Sequence, residues 1–176
     1  MNIAEDYADL DERTQGIRLH DAAAFAGMRA AGRLAAEALD MLVPHVVPEA
    51  LTIDLDEMVR NFVLDRGAVP ATIFYRGYSH SSCISINHVV CHGIPGAKRL
   101  KDGDIVNIDV TVVVDGWHGD TSRMFVVGDA SIQAKRLCEI TFECMWIGIS
   151  QVRPGGHLGD IGAAIQKHAE ANGYSV

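Results

Sequence analysis

This sequence predicts an α/β (α+β) chain built as two copies of one helix-and-strand architecture, and three features carry the expectation. Residues 104–127 alternate like a β-hairpin around Asp115-Gly116. Helical apolar stripes lie on both sides of that hairpin. The flanking segments also share a spacing: Pro48 and Pro154, Gly67 and Gly173, Leu55 and Ile161, and Val59 and Ile165 are each 106 residues apart. A fixed offset of this kind marks a duplicated architecture.

The hairpin is the most specific element. Asp-Gly between two alternating β-rich runs is the strongest short-range hairpin signal. With Asp115 and Gly116 as the loop residues, Asp109 faces Ser122 and Thr111 faces Asp120. Strand side chains alternate faces, so Asn107, Asp109, Thr111, Val113, His118, Asp120, Ser122 and Met124 share one face. Ile108, Val110, Val112, Val114, Trp117, Thr121, Arg123 and Phe125 share the other, which is mostly apolar and should meet the core. On the polar face Asp109 and Asp120 are diagonal neighbours, about 7–8 Å apart at Cβ. Two such carboxylates suit divalent cations that prefer oxygen ligands. A solvated strand face is the competing reading, although such faces usually carry Lys, Glu and Arg. A bulge in either strand would shift the register.

The helices follow from periodicity. Residues 22–44 are rich in Ala and Leu, with Asp21 placed as the N-cap and Pro44 as the stop. Phe25, Met28, Ala31, Leu34, Ala35, Leu39 and Leu42 form the expected buried stripe. A second helix runs from Thr52 or Asp54 to Asp65, with Thr52 as a candidate cap and Leu55, Met58, Val59, Phe62 and Val63 facing inward. Gly67 ends it. Short strands are expected at 72–75 and 82–86. After the hairpin, a helix near 131–152 should bury Leu137, Ile140, Thr141, Cys144, Met145, Ile147 and Gly148. Pro154-Gly155-Gly156 breaks the chain, and a last helix over 158–171 carries Ile161, Ala164, Ile165 and His168 in phase.

Composition bounds the function. The 176 residues suffice for one domain with a real core, and 48% are hydrophobic. A formal net charge of −8 argues against nucleic acid as a specific partner. No run of 18 apolar residues occurs, so no membrane span is expected. Residues 1–16 are acidic, lack the apolar core of a secretory signal, and read as a flexible tail. The four cysteines, Cys83, Cys91, Cys138 and Cys144, form neither a CxxC pair nor a zinc-type spacing. Packed free thiols in a reducing cytoplasm account for them most simply.

The run SINHVVCHGIPGAKRLKDGDIVNIDVTVVVDGWHGDTSRMFVVG, residues 85–128, resembles the type I methionine aminopeptidases. The combination of CHGIP, GDIVNIDV and DGxHGDTSxMF is specific, and the resemblance extends over 17–176. It implies the duplicated "pita-bread" fold and metal-dependent removal of the initiator methionine from nascent proteins. It implies two divalent metal ions, Co, Mn, Fe or Zn, with Asp109 holding one through both oxygens and Asp120 bridging the pair. His92 matches the histidine that contacts the scissile amide. Tyr75, Tyr78 and Cys83 match positions lining the methionine pocket, and Thr72 stands where some members carry cysteine. Asn87 and Val89 match backbone positions that bind a structural monovalent cation. His118 reads as supporting rather than ligating. His157 and His168 match no ligand, and Arg76 and His80 replace residues common in the family's loop. Cys83 and Cys91 read as packed thiols, not nucleophiles.

The resemblance also implies nascent polypeptide N-termini as partners, the ribosome as a further candidate, a cytoplasmic location and a monomeric parent enzyme. The family uses five protein ligands, and its ligating His and two Glu belong to strands that would follow Val176. On this reading 17–176 is a catalytic domain incomplete at its C-terminus, which as it stands should be inactive and bind metal weakly. The alternative is a non-catalytic binding module of the same fold.

Overall fold

The computed structural model describes residues 20–73 and 75–176. The acidic tail expected over 1–16 lies outside the described residues. Helix α1 (Ala22–Leu42) is capped by Asp21, whose carboxylate accepts the Ala24 N–H at 2.8 Å. Helix α2 (Thr52–Leu64) follows. Strands β1 (Val69–Pro70) and β2 (Cys83–Ile86) precede the hairpin of β3 (Ile105–Val114) and β4 (Trp117–Val126). Helices α3 (Ile132–Ser150) and α4 (Leu158–Ala171) close the described chain.

All four strands form one antiparallel sheet, with β1 and β2 pairing different halves of β3 on one side and β4 pairing its whole length on the other. The hairpin register is the expected one, with Asp109 opposite Ser122 and Thr111 opposite Asp120. Asp115 (φ 48°) and Gly116 (φ 82°) both adopt the left-handed conformation that a two-residue type I′ loop requires. Val106, Ile108, Val110 and Val112 point into the core, where α1 crosses β3 and β4 and α2 packs beside α1. Leu39, Leu42, Leu55, Val59 and Val63 complete this core. Gly119 makes the packing possible: a Cβ there would overlap the backbone of Ala31 and Gly32 on α1. A glycine inside a strand commonly marks such a close backbone approach.

The second helical pair repeats the first. Helix α3 packs on α4, and a small core of Ile140, Cys144 and Ala169 lies between them. Gly67 (φ 72°) and Gly173 (φ 82°) follow α2 and α4 in the same left-handed conformation.

Several local expectations are corrected. Phe25 and Met28 are 55% and 48% exposed, because the covered positions of this part of α1 are Ala24, Gly27 and Ala31, with Trp117 against Gly27. Thr52 is not the cap of α2. Leu51 occupies that position, while the Thr52 hydroxyl donates to the Gly96 carbonyl and accepts the Gly96 N–H, both at 2.9 Å. Thr72, Ile73 and Tyr75 are not in the strand expected over 72–75. The Tyr75 N–H closes a turn onto the Thr72 carbonyl, and a 3-10 turn, Tyr75–Gly77, follows with Arg76 and Gly77 at positive φ. The stripe expected on α3 is only partly covered, since Leu137, Thr141 and Met145 are exposed. Phe142 and Trp146, in edge-to-face contact at 6.2 Å, are exposed too. His168 is half-buried and pairs with Glu143 at 2.7 Å.

Candidate active site

The polar face of the hairpin lies opposite α1. Antiparallel pairing puts Thr111 directly across from Asp120, and the threonine hydroxyl donates to Asp120 Oδ1 at 2.9 Å. One step along, the Asn107 side-chain amide donates to the Ser122 hydroxyl at 3.3 Å. Asp109 is half-buried and lies diagonally from Asp120 on the same face. Its carboxyl is pushed above the usual range, first by loss of water, then by the charge of Asp120 and a hydrogen bond between the two carboxyls; His92 pulls the other way. Two carboxylates this close repel when both ionise, and a cation between them would remove that cost. The oxygen-donor pair therefore suits divalent metals. Among the described residues no group of three His, Cys, Asp or Glu side chains gathers into a metal-binding cluster, so the pair alone is an open site.

His92 reaches this face through a pinned loop. Gly93 donates to the Ser85 hydroxyl at 3.0 Å, and its carbonyl accepts the Ile84 N–H at 2.8 Å. The strand and loop are so close that a Cβ at Gly93 would overlap the Ile84 carbonyl. His92 itself takes a left-handed conformation (φ 54°), which is costly for a non-glycine residue and clusters at functional sites. The ring is exposed and within electrostatic reach of Asp109.

Cys83 stands opposite Asp109 on β2, on the other side of β3 from Asp120. Its thiol lies 3.7 Å from the Tyr78 hydroxyl, which donates to the Ser82 carbonyl at 2.8 Å. Burial pushes the Tyr78 phenol far up and raises the Cys83 thiol, helped by the charges of Asp109 and Asp56. A thiol held neutral in this way is a poor nucleophile. Thr72 closes the loop by donating to the His80 carbonyl at 2.7 Å. Tyr75 stands apart at 64% exposure, with Arg76 5.4 Å from its ring. Cys91 is exposed rather than packed. His118 is exposed near the hairpin tip.

Asn87 turns the chain out of β2 with φ 53°. Its side chain accepts the Ile105 N–H at 3.1 Å and donates to Asp104 at 2.8 Å, and the Val89 N–H closes onto the Ile86 carbonyl at 3.1 Å. This tight turn holds 87–89 beside the start of β3.

Sequence reasoning missed Asp56. It is 5% exposed on α2, and its carboxylate accepts the N–H groups of Ser81 and Ser82 at 2.9 and 2.8 Å, the Ser82 hydroxyl at 2.6 Å, and lies 3.3 Å from His80 Nδ1. Helical phase could have revealed it, since Thr52, Leu55, Asp56, Val59 and Val63 form the buried stripe of α2. Beside this cluster the Ser81 hydroxyl is buried without a hydrogen-bond partner among the described residues. An orphaned buried hydroxyl costs free energy, so Ser81→Ala is expected to leave the melting temperature unchanged or raise it by a few degrees. A drop of about 5 °C or more in a thermal melt would contradict that accounting.

The sequence pattern of metallopeptidase family M24 matches residues 26–176. The chain belongs to metallopeptidase family M24. It is 56% identical over 160 residues to the methionine aminopeptidase of Rickettsia prowazekii (strain Madrid E), covering 91% of this chain and 62% of that protein. It is likewise 56% identical over 151 residues to the methionine aminopeptidase of Escherichia coli (strain K12), covering 85% and 57%. The crystal structure of the Rickettsia prowazekii methionine aminopeptidase superposes with a TM-score of 0.90 at 55% identity, over 92% of this chain and 65% of that one. A prolidase from Pyrococcus furiosus superposes at 0.79 with 18% identity, which speaks to the shared fold alone. The mixed helix-and-sheet pita-bread fold of family M24 is thus the fold of this chain, which spans about 60% of the length of the curated relatives it matches. No helix among the described residues is long and apolar enough to cross a membrane.

Proposed function

We propose that the complete protein carrying this sequence removes the N-terminal methionine from nascent proteins, as a metal-dependent aminopeptidase with residues 17–176 in its catalytic domain. The observation that supports this best is the diagonal pair Asp109 and Asp120 on one face of the hairpin, with His92 within electrostatic reach of Asp109. In this reading Asp109 and Asp120 would be the side chains of this chain that hold the divalent ions. Those ions, Co, Mn, Fe or Zn, when bound supply a water of lowered pKa and Lewis acidity toward the scissile carbonyl. His92 donates a hydrogen bond to the scissile amide and stabilises the charge that develops there. Tyr75, Tyr78, Cys83 and Thr72 line the space for the methionine side chain. Asn87 and Val89, in the turn after β2, would be the positions that hold a structural monovalent cation. The partners are nascent N-termini, in the cytoplasm and near the ribosome, and the complete enzyme acts as a monomer.

A second reading has its own observation. Because no third ligand gathers at the carboxylate pair among the described residues, the 176-residue chain by itself serves better as a binding module than as a catalyst. His92 supplies the test of the first. In the complete protein, His92→Ala should lower kcat on a Met-Ala-Ser peptide by roughly 10² or more, the scale for removing one transition-state donor. Turnover within a few-fold of the unmodified protein would remove His92 from the reaction.

A further inference from the structure

We propose that Asp56, on α2 and outside the carboxylate face, is a positioning residue that sets the shape of the side-chain pocket; this rests on the aminopeptidase reading above. A buried carboxylate is acceptor-only and must be supplied with donors. Among the described residues, the donors to Asp56 all come from one short segment 24–26 residues away in sequence: His80, Ser81 and Ser82. That segment is not held by strand pairing until Cys83. It follows a turn with Arg76 and Gly77 at positive φ, so its conformation is imposed from outside.

The tie leads to the pocket in short steps. Ser82, held by Asp56 through both its N–H and its hydroxyl, presents the carbonyl that accepts the Tyr78 hydroxyl at 2.8 Å. Tyr78 Oη in turn lies 3.7 Å from Cys83 Sγ. His80, on the other oxygen of Asp56, meets the Tyr78 ring edge-on at 5.5 Å and receives Thr72 on its carbonyl. Three of the four pocket positions, Thr72, Tyr78 and Cys83, thus take their places from one carboxylate. Asp56 is itself immobile, because Leu55, Val59 and Val63 on the same helix are at most 2% exposed. Packing α2 against the sheet would be served equally well by an apolar side chain at 56. The charge is used only toward the 80–82 segment.

Two measurements test this. In the 176-residue chain, Asp56→Asn should speed iodoacetamide alkylation of Cys83 about tenfold relative to the exposed Cys91 in the same digest, the factor expected for losing one charged hydrogen bond. In the complete protein the same variant should raise KM for a Met-Ala-Ser peptide about tenfold with kcat within about threefold. Its preference for Met over Leu at the first residue should fall by a similar factor, since pocket shape carries that discrimination. A purely structural role would instead lower the active fraction, reducing kcat and leaving KM and the Met-to-Leu ratio where they were; that result overturns the proposal. An unchanged Cys83-to-Cys91 ratio in a folded variant overturns it as well. If Asp56→Asn loses its helical circular dichroism, Ser82→Ala decides, because it deletes only the 2.6 Å hydroxyl contact. It should shift both readouts in the same direction, and no shift overturns the proposal. If the unmodified complete protein releases no methionine, the aminopeptidase reading fails, while the alkylation ratio still decides whether Asp56 positions Cys83.

Discussion

Gly119→Ala is expected to destabilise this chain by about 3 kcal/mol. Gly119 is buried on the core side of β4, opposite Val112. The new Cβ would overlap the Ala31 carbonyl and the Gly32 nitrogen, which are helix backbone and cannot rotate away. Either α1 lifts off the hairpin or β4 bends, and both open the core around Ala31, Ala35, Val110 and Val112. Overpacking a core typically costs about 1–3 kcal/mol, and a clash with backbone belongs at or above the top of that range. For a chain of this size about 3 kcal/mol lowers the melting temperature by roughly 6–12 °C. Gly67→Ala is an informative control, since it lies in open space after α2 and is strained only through its positive φ. A Gly119→Ala melt within 2 °C of the unmodified chain would mean that α1 does not approach β4 as described.

Much of this arrangement was legible in the sequence because it rests on local rules. Asp115-Gly116 sets the loop, the loop sets the register, and the register puts Asp109 and Asp120 on one face. Asp21, Ser131 and the glycines after α2 and α4 act through neighbours only a few residues away, so helix ends were readable too. What escaped depends on partners distant in sequence. Gly119 is constrained by Ala31, Thr52 by Gly96, and Asp56 by Ser81 and Ser82. Residues 72–75 have the composition of a strand, yet Thr72 is committed to His80 through its hydroxyl and to the Tyr75 N–H through its carbonyl. Periodicity also overstated the burial of α1 and α3, because a stripe says which side is apolar and not how far the covering surface extends. Phe25 and Met28 on α1, like Leu137 and Met145 on α3, belong to the apolar side yet lie outside the covered patch.

Asp120→Asn is expected to abolish metal-dependent peptide release by the complete protein while leaving its fold intact. The substitution keeps the size of the side chain, and the amide oxygen can still accept the Thr111 hydroxyl that now binds Oδ1 at 2.9 Å. The other end becomes an NH₂ group, which has no lone pair for a cation, so a ligand shared between two ions is lost. The site also loses one of its two negative charges. Without metal that loss is favourable, because the charge of Asp120 is among the causes that push the Asp109 carboxyl upward. The metal-free melting temperature should therefore stay level or rise, while activity falls below detection even at saturating Mn²⁺. These opposite movements separate a ligand from a structural residue, since a carboxylate held for stability would lower both. Calorimetric titration of the 176-residue chain adds an independent measure. Two carboxylates without further protein ligands should hold Mn²⁺ or Co²⁺ no better than roughly 10⁻⁴–10⁻³ M, the weak end for oxygen-ligand sites, and Asp120→Asn should remove even that heat. Activity within a few-fold of the unmodified protein, or two ions bound at micromolar affinity by the variant, would take Asp120 out of the metal site.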